Sequence, residues 1–325
     1  MRNARVRLCL AFAALSTWAA SPSDVEDDIR QGRLLQSQGR LAEAEQQFQA
    51  ALSKPTQVPL QPELQAAALS GLAGVEIDLV HNDLAARLYN RAIGMLQKAG
   101  GHLPEIENIR VQLAEVYLQG GETDTAEKLV QSAIASQKVR HSADTPEAAF
   151  ALDIQACISA FRKNFRAAET AEREALSILY GRGRQSGPEY AVSTLHLASF
   201  LNSQKRPADA LPYAQTALTL LHELPVPLPA MEGASEITLA SIYSVIGRNE
   251  DALNAAEAGI QKVRAYYGAN HPGTASTLLA EAAILRRIGR KTEARRAQKE
   301  GEMITAATRG AGVSDTVPLQ ALLPR

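Results

Sequence analysis

Seven alanines (Ala44, Ala85, Ala126, Ala168, Ala210, Ala252 and Ala294) recur along the 325-residue chain at steps of 41 or 42 residues. Seven residues after each stands a second small residue: Ala51, Ala92, Ala133, Ala175, Ala217, Gly259 and Gly301. Twelve residues before each stands a third: Gly32, Ala73, Ala114, Ala156, Ala198, Ala240 and Ala282. One rule thus fixes twenty-one positions, all alanine or glycine. Two sites seven residues apart lie on one face of a helix. A side chain reaching past Cβ there would push crossing helices apart.

Each period reads as two helices with a turn between them, often at glycine: Gly39, Gly121, Gly247 and Gly289. Pro146, Pro188 and Pro272 mark helix starts, where the missing N–H costs nothing, and Thr145 is placed as an N-cap before Pro146. Leu35, Phe48, Tyr89, Tyr117, Leu201 and Tyr243 are expected to fill the space between layers. No stretch alternates as a strand would, and aromatics are only 5%, so small side chains must build the core. A period near 40 with paired helices specifies an all-α solenoid in which each unit touches its neighbours.

Within this pattern LAEVY (113–117), LASIY (239–243) and GRNEDA (247–252) resemble the tetratricopeptide repeat. The long period and the AYYGANHPGTA junction (265–275) resemble the 42-residue subtype of kinesin light chains. The resemblance covers residues 24–306 and implies a right-handed superhelix of about seven helix-turn-helix units, at 24–57, 61–100, 104–139, 146–182, 188–224, 230–268 and 272–309. The second unit departs most, with Val80 at its turn and Glu76 where a large apolar residue is expected.

In the family the first helices line a concave groove that binds peptides or protein segments. By alignment that groove would contain Ile29 and Arg33; Val111, Glu115 and Leu118; Asp153 and Cys157; Leu195, Ser199 and Asn202; Ile237 and Ser241; and Leu279 and Arg286. This is an apolar row flanked by small hydroxyls, with Ser199 and Ser241 expected to be exposed. It suits apolar anchoring of an extended or helical segment. The family's clamp for a C-terminal carboxylate needs converging Lys, Arg and Asn, which are missing, and of its asparagine ladder only Asn202 remains.

Catalytic and metal-binding signatures are absent: no HExxH, paired CxxC, GxSxG or phosphate-cradling glycine loop occurs. The six histidines are scattered, most near helix ends. Asp153 and Cys157 share a helical face, but a reactive thiol needs a cationic or histidine neighbour, and the sequence places none there. The expected function is a non-enzymatic scaffold for another protein or peptide, without cofactor or metal. The alternatives are an accessory enzyme using Cys157 or a histidine, and a solenoid that self-associates through its ends. The last helix (290–303), with Arg290, Lys291, Arg295, Arg296 and Lys299, is expected to be a solvating cap, and the tail from 310 to lack regular structure.

MRNARVR followed by the 13-residue apolar run Leu8–Ala20 has the layout of a secretory signal, with cleavage expected after Ala19. An uncleaved membrane anchor is the alternative, although a span needs about 20 apolar residues. Cleavage takes three arginines and no acid, moving the formal charge from −1 to −4 and leaving no basic excess for nucleic acid. It also leaves Cys157 as the one cysteine, so no intramolecular disulfide can form. Trp18, the one tryptophan, lies in the removed segment, whereas all eight tyrosines lie beyond residue 80. Protein recovered from periplasm or medium should therefore show tyrosine emission without tryptophan emission. Membrane-bound material that emits as tryptophan would instead establish the anchor.

Overall fold

The computed structural model describes residues 21–54, 59–101, 103–140 and 142–310. The expected signal segment and the C-terminal tail lie outside these residues. Those described form fourteen helices: α1 (Pro22–Ser37), α2 (Leu41–Ser53), α3 (Pro62–Asp78), α4 (Asn82–Lys98), α5 (Leu103–Gln119), α6 (Thr123–Val139), α7 (Pro146–Phe161), α8 (Phe165–Gly181), α9 (Pro188–Ser203), α10 (Pro207–Glu223), α11 (Pro229–Val245), α12 (Asn249–Tyr267), α13 (Pro272–Arg287) and α14 (Lys291–Gly310). Odd and even helices pack as seven consecutive hairpins. The chain is an all-α solenoid, and no described helix is long and apolar enough to cross a membrane.

All twenty-one small positions are buried. A Cβ on Gly259 would lie 2.9 Å from the Gly233 carbonyl oxygen of the partner helix, and one on Gly301 3.0 Å from that of Ala275. Methyl-sized or smaller contacts therefore set the crossing distance, as the spacing requires. Phe48, fully buried, uses another pair of glycines: a Cβ on Gly32 or Gly71 would strike its ring.

The turns are as regular as the helices. Gly39, Val80, Gly121, Lys163, Lys205, Gly247 and Gly289 occupy equivalent turn positions, all at positive φ. In each turn the following N–H returns to the carbonyl five residues earlier, as from Arg206 to Leu201 and from Arg290 to Leu285. Val80 thus adopts the conformation that glycine serves in four other units, which accounts for the weak sequence match of the second unit. Glu76, buried where an apolar side chain is expected, is compensated by His81, whose Nδ1 lies 2.7 Å from its carboxylate. Pro146, Pro188 and Pro272 open α7, α9 and α13, and the Thr145 hydroxyl accepts the Ala148 N–H.

First helices of successive units touch one another directly, as α5–α7, α7–α9, α9–α11 and α11–α13 do. They therefore crowd the inner side of the curve. The curvature brings distant parts of the chain together. Tyr266, at the end of α12, donates its hydroxyl to the Gln36 carbonyl at 2.9 Å and lies 3.3 Å from the Asp78 carboxylate. His271 Nε2 lies 2.7 Å from the Asp78 carbonyl oxygen. Gly39 sits so close below Tyr266 that a Cβ would come within 3.0 Å of its carbonyl oxygen. The sixth and seventh units thus close onto the first two.

Ala198, fully buried at the α9–α10 crossing, tests the packing rule. Ala198→Leu should cost about 1–3 kcal/mol through overpacking. An unchanged melting temperature would refute the close-crossing account.

Candidate functional site

The inner face is not the apolar row expected from alignment. Val111 and Ile237 are fully buried, and Ile29, Leu118 and Leu195 nearly so. All five are spent in packing between helices and cannot face a ligand. Ser199, Asn202 and Ser241 are also buried, contrary to their expected exposure. The cause is direct contact between first helices: Asn202 donates to Ser241 Oγ at 3.0 Å, and Ser199 Oγ lies 3.4 Å from Thr238 Oγ1. Arg33 and Arg286 are exposed, while Glu115, Cys157 and Leu279 are half-buried.

What remains on the inner side is ionisable. His196, near the middle of α9, lies 2.6 Å from Asp153 Oδ1 and 3.8 Å from Cys157 Sγ through its Nδ1. Asp153 and Cys157 share a face of α7, as their spacing predicts, and α9 supplies the histidine that spacing alone did not place. Glu172, on α8, is fully buried beside them. Glu115, one unit earlier, is pushed up to about 7 by burial and by the charges of Asp153 and Asp78. Burial raises Glu172 well above the usual carboxylate range, with Asp153 adding to it. For His196 burial opposes the charge, but Asp153 and Cys157 outweigh it and hold the ring well above its ordinary value.

The thiol reads differently. Burial pushes Cys157 up to about 11, against the pull of His196. Nucleophilic catalysis needs the thiolate, so the His196 contact alone does not activate this cysteine.

Tyr267 joins the two halves of the inner surface. It stacks on His271, ring centroids 4.2 Å apart, and meets Tyr266 edge-on. Burial raises its hydroxyl pKa, and the charges of Asp78 and Glu115 raise it further. His271 is held neutral in one tautomer: Nδ1 accepts the Gly273 N–H, so Nε2–H donates to the Asp78 carbonyl. Burial lowers its pKa accordingly. A cavity of about 220 Å³ opens between α7, α8 and α9, lined by Phe150, Leu179, Pro188 and Val192, with Asp153 and Ser193 at its polar side.

Three family models, each described as Tetratricopeptide repeat, match residues 29–102, 83–143 and 231–302. Among solved structures the chain is similar to the apo form of RapI, with a TM-score of 0.62 and 11% identity over 88% of this chain and 99% of that one. It is similar to a Rap protein complexed with Competence and Sporulation Factor, with a TM-score of 0.59 and 14% identity over 89% and 99%. BtubC (BKLC) from P. vanneervenii follows, with a TM-score of 0.52 and 18% identity over 76% and 91%. At these identities the likeness is one of fold. No curated protein matches the sequence significantly.

Asp78 provides a pH test of the closing contact. Burial pushes its carboxyl up to about 6, against hydrogen bonds from Gln36 and Tyr266. A raised carboxyl contributes stability below its unfolded value, near 3.8, and loses it as pH rises through about 6. His271 has the opposite sign, since its lowered pKa makes acidification below about 6.5 unfavourable. Asp78→Asn removes the first effect and leaves the second. Melts at acid and neutral pH should show the variant gaining on the wild type as pH rises, by up to about 3 kcal/mol. A pH-independent difference would exclude Asp78 as a buried titrating group.

Proposed function

The chain belongs to the tetratricopeptide repeat family, and on that premise we propose that it is a non-enzymatic scaffold holding a protein or peptide segment against its inner face. The observation that carries this reading is the inner surface itself. Glu115 and His196 remain partly accessible there, with Asp153 buried behind His196, while apolar residues around them such as Val111 and Leu195 are consumed by helix packing. A segment bound there is held by cations and hydrogen-bond donors that meet these acids, and only secondarily by apolar anchors.

The similarity to a Rap protein complexed with Competence and Sporulation Factor supports this at the level of architecture, since that solenoid is seen with a bound factor. The raised pKa of the Cys157 thiol speaks against the enzymatic alternative. Export with cleavage near Ala19 completes the proposal, resting on the arginine-rich head and the apolar run that follows it.

Capture experiments on the whole protein test the binding face. Glu115→Gln keeps the shape and removes a half-buried acid, so it should weaken retention of partners from the producing cell's envelope extract while the fold stays at least as stable. Arg173→Glu, on the exposed side of α8, should leave retention unchanged. Loss of partners with the α8 variant and not with Glu115→Gln would place the binding surface on the outside.

A further inference from the structure

The side chains of Asp153, Cys157 and His196 bring a carboxylate oxygen, a thiol sulfur and an imidazole nitrogen within 4.8 Å of one another. Tetrahedral Zn²⁺ bonds of about 2.0–2.3 Å put ligand atoms about 3.3–3.6 Å apart. The 3.8 Å between Cys157 Sγ and His196 Nδ1 is close to that spacing. The 2.6 Å between Asp153 Oδ1 and the same nitrogen would open by less than about 1 Å as the metal replaced their hydrogen bond.

A second observation comes from another helix. Glu172, on α8, is 0% exposed, and its carboxyl lies against Ser193 and Asp153 with no cationic side chain hydrogen-bonded to it. Its electrostatic neighbours are Asp153 and His196. Two buried acids in contact, Glu172 and Asp153, share His196 as their cationic neighbour, and a metal cation among these residues would offset the excess of acid. The cavity that reaches Asp153 between α7, α8 and α9 offers an ion access from solvent.

We propose that Asp153, Cys157 and His196 form a binding site for one divalent transition-metal ion, with Glu172 beside it as a further buried acid. Three protein donors of mixed sulfur, nitrogen and oxygen type, with a fourth position left for water, suit Zn²⁺ and exclude Mg²⁺ and Ca²⁺, which take oxygen ligands. The spacing of Asp153 and Cys157 showed two of the donors, and the third, His196, comes from α9. A metal held between α7 and α9 would clip the fourth repeat to the fifth and stiffen the solenoid beside Glu115.

Co²⁺ titration of the metal-stripped, full-length protein tests the proposal. The expected result is one ion per chain, with a thiolate-to-cobalt charge-transfer band, intense visible bands of tetrahedral geometry, and displacement of both by Zn²⁺. Zn²⁺ should also raise the melting temperature. Cys157→Ser should abolish the charge-transfer band, and His196→Gln should weaken binding by roughly tenfold or more. Glu172→Gln should weaken binding while keeping the band, whereas His222→Gln, a distant surface change, should alter nothing. Circular dichroism shows which variants are folded; should Cys157→Ser fail to fold, His196→Gln decides. A wild type without the charge-transfer band, or folded ligand variants that bind as it does, would overturn the site.

Discussion

The closest approach between helix axes is the constraint from which the rest follows. Each hairpin and each junction is built on contacts where a side chain of one helix meets the backbone of the next, so the contact residue cannot extend beyond Cβ. Gly259 against Gly233 is the extreme, with a carbonyl oxygen 2.9 Å from where a Cβ would stand. Regular close crossings give each unit nearly the same rotation relative to the last. Curvature in a solenoid is the sum of those rotations. A small side chain repeated every 41 or 42 residues is therefore what decides, over seven units, where the ends arrive.

The consequence is the contact of Tyr266 and His271 with Gln36 and Asp78, across about 190 to 230 residues of sequence. An open solenoid has a one-dimensional stability, each unit supported by its neighbours alone. Here the junction of the last two units also rests on the first two. Its polar atoms are matched in detail: the His271 ring accepts from Gly273 and donates to Asp78, and the Tyr266 hydroxyl donates to Gln36. The cost lies at Asp78, whose carboxylate is buried without a cationic partner among these contacts.

Local repetition was legible in the sequence, and assembly across repeats was not. Ala44 and its equivalents, Thr145 as a cap and Pro146 as a helix start all act within one or two helices, so their spacing states their role. Val80 was placed at the second unit's turn by spacing, and it weakens the match there because its glycine-like backbone carries an unfavourable side chain. The inner face was misread because alignment marks which residues point inward, while exposure depends on how tightly neighbouring first helices pack. Ser199, Asn202 and Ser241 point inward and are buried against the next unit. His196 could have been found by arithmetic, since it lies 43 residues after Asp153, one repeat plus one. The pairing of His271 with Asp78 depends on accumulated curvature, which no local pattern encodes.

Charge ties the two features together. Asp78, Glu115 and Asp153 face a shared interior, and Glu115 is raised by both of the other two as well as by burial. Three carboxylates in a poorly hydrated space repel one another and favour protonation over ionisation. His196 relieves this at Asp153 and in part at Glu115, and no cation serves Asp78 among the contacts described. A cationic group entering the interior would ionise these carboxyls and gain a desolvated charge pair in one step. The polarity of the inner face follows from the burial of its apolar residues: once Val111, Leu195 and Ile237 are used to hold the helices together, recognition falls to the acids between them.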